Sequence, residues 1–143
     1  MKICRVRREA VRPCRATPGS AGLDLQAILE KAVTIEPGKR VTVPTGLAVE
    51  IPEGMAGFVF GRSGLGIRHG IVPSNAVGVI DSDYRGEILV GLSNHGDEPY
   101  TIQPGERVAQ LVVMPVSLLP VEEVETLEET ERSAGGFGST GRL

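Results

Sequence analysis

The sequence predicts an all-β subunit, a jelly roll or distorted β-barrel with at most one short helix. Apolar and polar residues alternate in several short segments, a pattern typical of strands with one face on a core. Turn-forming sequences separate these segments, at residues 36–38, 52–54, 94–97 and 103–105. Short strands at such spacing favour sandwiches, jelly rolls and barrels. The alternating apolar positions are Val33, Ile35, Val41, Val43, Leu47, Val49, Ile51, Phe58, Phe60, Ile88, Val90, Leu92, Val108, Leu111 and Val113.

Two segments depart from the strand pattern. In RSGLGIRHG, residues 62–70, Ser63 is expected to cap a single short turn, and two glycines oppose a longer helix. Beyond residue 120 the chain becomes acidic and then glycine-rich. We therefore expect a β-domain over residues 1–120 and a flexible C-terminal arm over residues 121–143. Composition alone favours disorder in the arm, and the alternative is a segment that orders on a ligand.

Size and charge restrict the class of protein. The 143 residues suit one domain, and the formal net charge of -3 disfavours a nucleic-acid partner, which needs a concentrated basic surface. The basic segment 2–15 is expected to form a solvated edge strand. No apolar run there suits a signal peptide or membrane span, so we expect a cytoplasmic protein without membrane association. Cys4 and Cys14 match no metal-ligand spacing and are expected to be free thiols.

Two loops carry residues suited to phosphate and metal chemistry. Asp24, in AGLDL, is either a turn residue bonded to its own backbone or a ligand for Mg²⁺, directly or through water. In GRSGLG, residues 61–66, the glycine backbone and Arg62 would suit an anion, although this motif is weak alone. Gln110 is polar among strand residues and is either solvent-facing or part of the site.

The segment VGVIDSDYRG, residues 77–86, predicts a hairpin with an acidic bend. Asp83 is expected to serve the turn, and local geometry decides which carboxylate faces a cleft. His69 and His95 resemble loop residues without a nucleophile as partner. The sequence has no Ser–His–Asp arrangement, Walker loop or zinc spacing. Metal-assisted phosphate hydrolysis is the chemistry that this inventory suggests.

Five segments, in order, resemble the five motifs of the homotrimeric dUTPase family. They are AGLDL, GRSGL, GVIDSDYRGEI, GERVAQL and RSAGGFGSTG, and the resemblance runs from about residue 18 to residue 141. The resemblance implies a jelly-roll subunit in a homotrimer with sites shared between subunits. It also implies Mg²⁺-assisted attack of water on the α-phosphate of dUTP, giving dUMP and pyrophosphate. Such an enzyme keeps uracil out of DNA and supplies dUMP for dTTP synthesis.

The resemblance assigns roles to the matched residues. Asp24 would hold hydrated Mg²⁺, and Asp81 would bind the 3′-hydroxyl and act as general base. Tyr84 would pack beneath the deoxyribose and leave no room for a 2′-hydroxyl. Phosphates would be held by Arg62, Ser63, Gly64 and Gln110. Uracil would be read by Gly78, Val79, Ile80 and Leu89, with Asn75 in support.

The fifth motif resembles a lid that folds over the bound nucleotide. Arg132 would meet the γ-phosphate, Phe137 would stack on uracil, and the phosphate oxygens would meet Gly138, Ser139 and Thr140. One departure stands out, because Ser133 and Ala134 follow the arginine where the family commonly has glycine. The alternatives are a dCTP deaminase-type enzyme of the same fold and a non-catalytic nucleotide-binding regulatory trimer.

Overall fold

The computed structural model describes residues 1–136. These residues form short strands and a single seven-residue helix, α1 (Ser63–His69). No helix in this range is long and apolar enough to cross a membrane. The strands are β1 (Lys2–Arg5), β2 (Leu23–Gln26), β3 (Val33–Ile35), β4 (Arg40–Pro44), β5 (Leu47–Glu50), β6 (Met55–Phe60), β7 (Ile71–Pro73), β8 (Gly78–Ile80), β9 (Leu89–Asn94), β10 (Tyr100–Ile102) and β11 (Arg107–Pro115).

The strands pair antiparallel and form four small sheets within the described range. The largest has the order β2–β11–β6–β8, and a second has the order β4–β9–β7. The pairs β1–β5 and β3–β10 form two further ladders. Strands far apart in sequence are neighbours, as in β2 with β11, so the chain crosses between sheets as in a jelly roll. The prediction of an all-β chain with at most one short helix is confirmed.

One continuous cluster of buried side chains joins all four sheets. Leu25 and Leu111 enter it from the largest sheet, and Val43 and Leu92 enter it from the three-stranded sheet. Each is at most 1% exposed. Burial of such a side chain stabilises a fold by roughly 1.5–3 kcal/mol, so this cluster holds the sheets together.

The prediction that Phe58 and Phe60 face the core is wrong. Val59, between them, is buried at 6% exposure, while the two phenylalanines are half-buried on the opposite face of β6. Their ring centroids lie 6.4 Å apart. Alternation establishes that two faces exist, but it does not tell which face meets the core when apolar residues occupy both.

Both ends of the described range, residues 1–136, lie outside the central sheets. β1 pairs only with β5 in the described range, so the predicted edge strand is confirmed over Lys2–Arg5, whereas residues 6–15 form no strand. Cys4 and Cys14 are exposed free thiols, as predicted. Residues 116–136 contain no helix or strand. The division between a β-domain over 1–120 and an arm over 121–143 stays a prediction.

Candidate active site

Five predicted phosphate and metal residues line one small pocket, which we call the anion pocket. It has a volume of about 210 Å³. It lies where β2, β11 and the first turn of α1 meet. Its lining includes Asp24, Arg62, Ser63, Gly64 and Gln110. The fold thus joins three segments that are far apart in sequence.

Strand register sets the back of the anion pocket. Asp24 on β2 pairs with Gln110 on β11, so both side chains leave the same face of the sheet. The Gln110 side chain donates a 2.9 Å hydrogen bond to the Gly61 carbonyl. Gly22 leaves it room, because a Cβ there would overlap the Gln110 Oε1. The turn interpretation of Asp24 and the solvent-facing interpretation of Gln110 are both wrong.

Two arginines hold the Asp24 carboxylate. Arg62 Nε lies 3.2 Å from one oxygen, and Arg107 Nη1 lies 2.9 Å from the other. Arg62 also donates a 3.1 Å hydrogen bond to the Arg107 carbonyl. Two guanidinium groups against one carboxylate leave an excess positive charge, which favours a polyanion. Arg107 was not foreseen, because a β-bulge between Arg107 and Ala109 breaks the alternation that would reveal its direction.

The start of α1 forms the opposite wall of the anion pocket. The prediction that Ser63 caps this turn is wrong. The N-cap is Arg62, with extended backbone and no side-chain capping bond, so Ser63 is already inside the helix. The helix is longer than predicted despite Gly64 and Gly66. Burial of Leu65 anchors it, and Gly70, at φ 67°, ends it in the left-handed conformation that suits glycine. His69 is therefore its last residue and not a loop residue.

A second, larger cavity lies at the opposite edge of the same sheet, beside β8, and we call it the cleft. Its volume is about 570 Å³. It is lined by seven residues predicted to bind base and sugar: Asn75, Gly78, Val79, Ile80, Asp81, Tyr84 and Leu89. Asp83 does not line the cleft and lies in the turn after Asp81, as predicted. Local geometry thus selects Asp81 as the carboxylate that faces the cleft.

The predicted hairpin is wrong, because its two arms belong to different sheets. β8 pairs with β6, whereas β9 lies between β4 and β7. Loop 81–88 crosses from one sheet to the other, and its turn is closed by a 3.2 Å bond from the Tyr84 N–H to the Asp81 carbonyl. Among the described strands, β8 has a partner on only one side. Its second edge therefore offers backbone donors and acceptors to the cleft.

Loop 81–88 is fixed by contacts that the sequence did not reveal. The Tyr84 hydroxyl donates a 3.0 Å bond to the Glu87 carbonyl. Arg7 forms a two-pronged ion pair with the Glu87 carboxylate at 2.8 and 3.0 Å. The hydrogen bond from Arg7 holds the pKa of Glu87 below its usual value, against the opposing effect of burial. An ion pair across 80 positions leaves no local pattern in a sequence.

The anion pocket and the cleft share no lining residue. β2 and β8 are the two outer strands of the largest sheet, so Asp24 lies three strand spacings from β8. That separation is about 14 Å. Two half-sites therefore stand at opposite edges of one sheet.

The predicted lid residues fall near or beyond the end of the described range. Arg132 is exposed, lines neither cavity, and donates a 2.9 Å bond to the Gly135 carbonyl. Ser133 has φ 39°, in the left-handed region that glycine adopts more readily than other residues. It stands at the position where the family motif commonly has glycine. Phe137, Gly138, Ser139 and Thr140 lie outside the described residues.

Within residues 1–136, no cluster of three or more His, Cys, Asp or Glu side chains could hold a metal by itself. Asp24 is a single carboxylate in the anion pocket. Mg²⁺ often binds through one or two carboxylates while retaining water and taking substrate phosphates as ligands. The residues present thus fit an ion delivered with a polyphosphate.

The family model described as dUTPase matches residues 8–141 of this chain. The chain belongs to the dUTPase family. The resemblance carried by the five motifs is thereby confirmed.

Curated relatives agree with this assignment. The deoxyuridine 5'-triphosphate nucleotidohydrolase of Bordetella pertussis is 52% identical over 143 residues, covering 99% of this chain and 96% of the relative. The protein of the same name from Acinetobacter baumannii is 52% identical over 139 residues, covering 96% and 93%.

Solved dUTPase structures share the fold. The Staphylococcus bacteriophage 80alpha dUTPase with dUpNHpp is 28% identical, has a TM-score of 0.88, and aligns over 98% of this chain and 97% of its own. A dUTPase point mutant of phage phi11 of S. aureus is 25% identical with a TM-score of 0.79, over 90% and 98%. That phage structure is described as revealing the coordination of a structural Mg(II) ion. The predicted jelly-roll class is thus confirmed.

Proposed function

We propose that this chain hydrolyses dUTP to dUMP and pyrophosphate, and so keeps uracil out of DNA and supplies dUMP for dTTP synthesis. The observation that carries the proposal is the convergence of three family motifs on the anion pocket. Its excess positive charge suits a triphosphate. Membership of the dUTPase family supports the same reaction.

In this proposal the anion pocket binds the triphosphate. Arg62 contributes charge and a planar set of donors that matches phosphate oxygens. Ser63 and Gly64 contribute N–H groups from the first turn of α1, which have no intrahelical acceptor. Gln110 contributes from β11, where its bond to Gly61 already orients it.

Asp24 is proposed to hold Mg²⁺ through water. The bound ion would polarise the phosphates and offset their charge. Asp24 supplies the one carboxylate, while Arg62 and Arg107 keep that carboxylate oriented. The Mg(II) ion described in the phi11 phage dUTPase supports the choice of metal.

Uracil is proposed to bind at the free edge of β8. Backbone groups of Gly78, Val79 and Ile80 would pair with the base edge, and Leu89 would complete the opposite wall. Asn75, at the turn before β8, would support that pairing. Cytosine offers the wrong donor and acceptor to the same backbone edge, and unpaired buried polar groups are costly.

Asp81 is proposed as the general base. Its carboxylate would take a proton from water as the water oxygen bonds to the α-phosphorus. The bond from the α-phosphorus to the bridging oxygen then breaks, and pyrophosphate leaves with that electron pair. General-base assistance typically supplies ~10²–10⁴-fold. Tyr84 would pack beneath the deoxyribose and exclude a 2′-hydroxyl.

A homotrimer with shared sites would join the two half-sites. The cleft and the anion pocket lie at opposite edges of one sheet, so a cleft of one subunit can meet an anion pocket of the next. The outer face of this sheet carries half-buried Phe58, Phe60 and Val112, beside Val79 at 60% exposure. Such an apolar face is suited to burial against another subunit.

The C-terminal arm is proposed to close over the bound nucleotide. Arg132 would reach the γ-phosphate, and Phe137 would stack on uracil. Gly138, Ser139 and Thr140 would bind phosphate oxygens. Closure would exclude water and strengthen these contacts. We also propose that the enzyme acts in the cytoplasm.

Product analysis with separate nucleotides tests this function. The protein is incubated with Mg²⁺ and dUTP, dCTP, dTTP or UTP, and the products are resolved. We expect dUMP and pyrophosphate from dUTP, with little turnover of the others. Ammonia from dCTP would indicate a deaminase, and binding without turnover would indicate a regulatory protein; either result contradicts the proposal.

A further inference from the structure

The N-terminal segment reaches loop 81–88 through one ion pair. Arg7 directs Nε and Nη2 at the two oxygens of Glu87, at 2.8 and 3.0 Å. This two-pronged geometry fixes direction as well as distance, unlike a single contact from an ammonium group. Nothing in the five motifs assigns a role to Arg7, which precedes the first of them.

Arg7 extends from a segment that is itself anchored. The Val6 N–H donates a 2.8 Å bond to the Gly46 carbonyl, and Ala10 is buried at 2% exposure. The Gly46 N–H also donates a 2.8 Å bond to the Glu87 carboxylate. Glu87 is therefore held from two sides, by a side chain and by a backbone. Its side chain is only 19% exposed.

Glu87 in turn holds the tyrosine that lines the cleft. The Tyr84 hydroxyl donates to the Glu87 carbonyl at 3.0 Å. The ring folds closely over Gly86, where a Cβ would overlap the Tyr84 oxygen. Because the Tyr84 hydroxyl is bonded to Glu87 and the ring lies close against Gly86, a displacement of Glu87 would also move the tyrosine ring.

We propose that Arg7 is a positioning residue that fixes Tyr84 through Glu87 and thereby sets the discrimination between deoxyribose and ribose. The inference rests on the proposed function of the cleft, in which Tyr84 excludes a 2′-hydroxyl. A rigid wall rejects one extra oxygen, whereas a wall that can retreat by a fraction of an ångström admits it. Arg7 touches no substrate in this scheme.

The test compares Arg7→Ala and Arg7→Lys with Arg8→Ala. Arg8 is the adjacent exposed arginine, and it makes no hydrogen bond or ion pair with any of residues 1–136. For each full-length protein, kcat and KM are measured with dUTP and with UTP. We expect Arg7→Ala to lower the dUTP-to-UTP ratio of kcat/KM about tenfold, since pockets reject an added hydroxyl by only ~10².

Intermediate and matched variants separate positioning from general stability. Arg7→Lys keeps the positive charge but loses the two-pronged geometry, so we expect a smaller loss of the ratio. Arg8→Ala should retain the parental ratio. Glu87→Gln should lower the ratio as Arg7→Ala does, and the double variant should add little, because both changes remove one interaction. Thermal midpoints are recorded for all variants, since lost stability alone does not change substrate preference.

The outcomes are distinguishable from failure of the proposed function. If the parent protein does not hydrolyse dUTP, the proposed function fails. If the parent hydrolyses dUTP but Arg7→Ala keeps the parental ratio, the positioning role is overturned. Should Arg7→Ala not fold, unchanged ratios in both Arg7→Lys and Glu87→Gln overturn it equally.

Discussion

The anion pocket takes its side chains from the paired strands β2 and β11 and from the start of α1, whereas the cleft takes its walls from strands in two different sheets. In the pocket, Asp24 and Gln110 face each other in register and are held by charge and hydrogen bonds. In the cleft, the edge of β8 is unpaired on one side among the described strands, and loop 81–88 depends on ties from Arg7 and Gly46.

This difference suggests a division of labour. The pocket supplies positive charge, which suits the triphosphate of any nucleotide. The cleft supplies a shape and a backbone edge that fit only one nucleoside. A small change in the pocket should therefore weaken the binding of all nucleoside triphosphates alike. A change of the same size in the cleft should alter the preference among them.

The largest expected effect concerns Asp81, the carboxylate of the cleft. Asp81→Asn keeps the size of the side chain but removes the base, so we expect kcat for dUTP to fall ~10²–10⁴-fold with nucleotide affinity largely kept. Single-turnover release of pyrophosphate measures the effect. Asp83→Asn is the matched control, because Asp83 lies two residues on and does not line the cleft. Equal losses in both variants would remove Asp81 from the mechanism.

A single methyl group added at Gly22 should weaken binding in the anion pocket. In Gly22→Ala the new Cβ would overlap Gln110 Oε1, so the glutamine must move. Such overpacking costs about 1–3 kcal/mol, which as lost binding corresponds to roughly 5–150-fold. We expect kcat/KM to fall by this factor while the preference among dUTP, UTP and dCTP is retained.

Gly19→Ala is the control for that change, because nothing lies within 4 Å of a Cβ at that position. It should behave like the parent. Altered base or sugar preference in Gly22→Ala would mean that the pocket and the cleft are not independent.

A methyl group added at Gly86, in the loop beside the cleft, should instead change the preference between dUTP and UTP. In Gly86→Ala the Cβ would overlap the Tyr84 hydroxyl and push the ring away from residue 86. We expect the dUTP-to-UTP ratio of kcat/KM to fall about tenfold. Steady-state kinetics on both nucleotides measures it, with Gly19→Ala again as control. Loss of both activities in equal proportion would contradict the division between charge and shape.

The sequence predicted the class of fold and most strands, because alternation and turn residues are local properties. It did not predict that β8 and β9 join different sheets, since the choice of partner strand depends on the whole chain. Nor did it predict Phe58 on the outer face of β6.

The site divides in the same way. Asp24, Arg62 and Gln110 were found because they lie in motifs, and the structure then brought them together. Arg107 was missed because a bulge hides its direction. The pair of Arg7 with Glu87 was missed because long-range ion pairs leave no periodic signal.

The smallest expected effect concerns the tie between Glu87 and Arg7. The hydrogen bond from Arg7 lowers the pKa of Glu87 from its ordinary 4.5. A carboxylate with a lowered folded-state pKa stabilises the fold above pH 4.5, and this contribution is lost as the pH falls through the folded-state value. Since Arg7 is nearly half exposed, water screens the pair and the effect is modest.

We therefore expect Glu87→Gln to lower the thermal midpoint by about 2–4 °C at about pH 7. The difference from the parent should shrink as the pH falls below 4.5, because the protonated glutamate then resembles the glutamine. Calorimetry from about pH 3 to about pH 7, a range that spans the ordinary carboxyl titration, measures it. A constant difference across that range would mean that the carboxylate charge does not hold loop 81–88, and that packing of Tyr84 on Gly86 holds it instead.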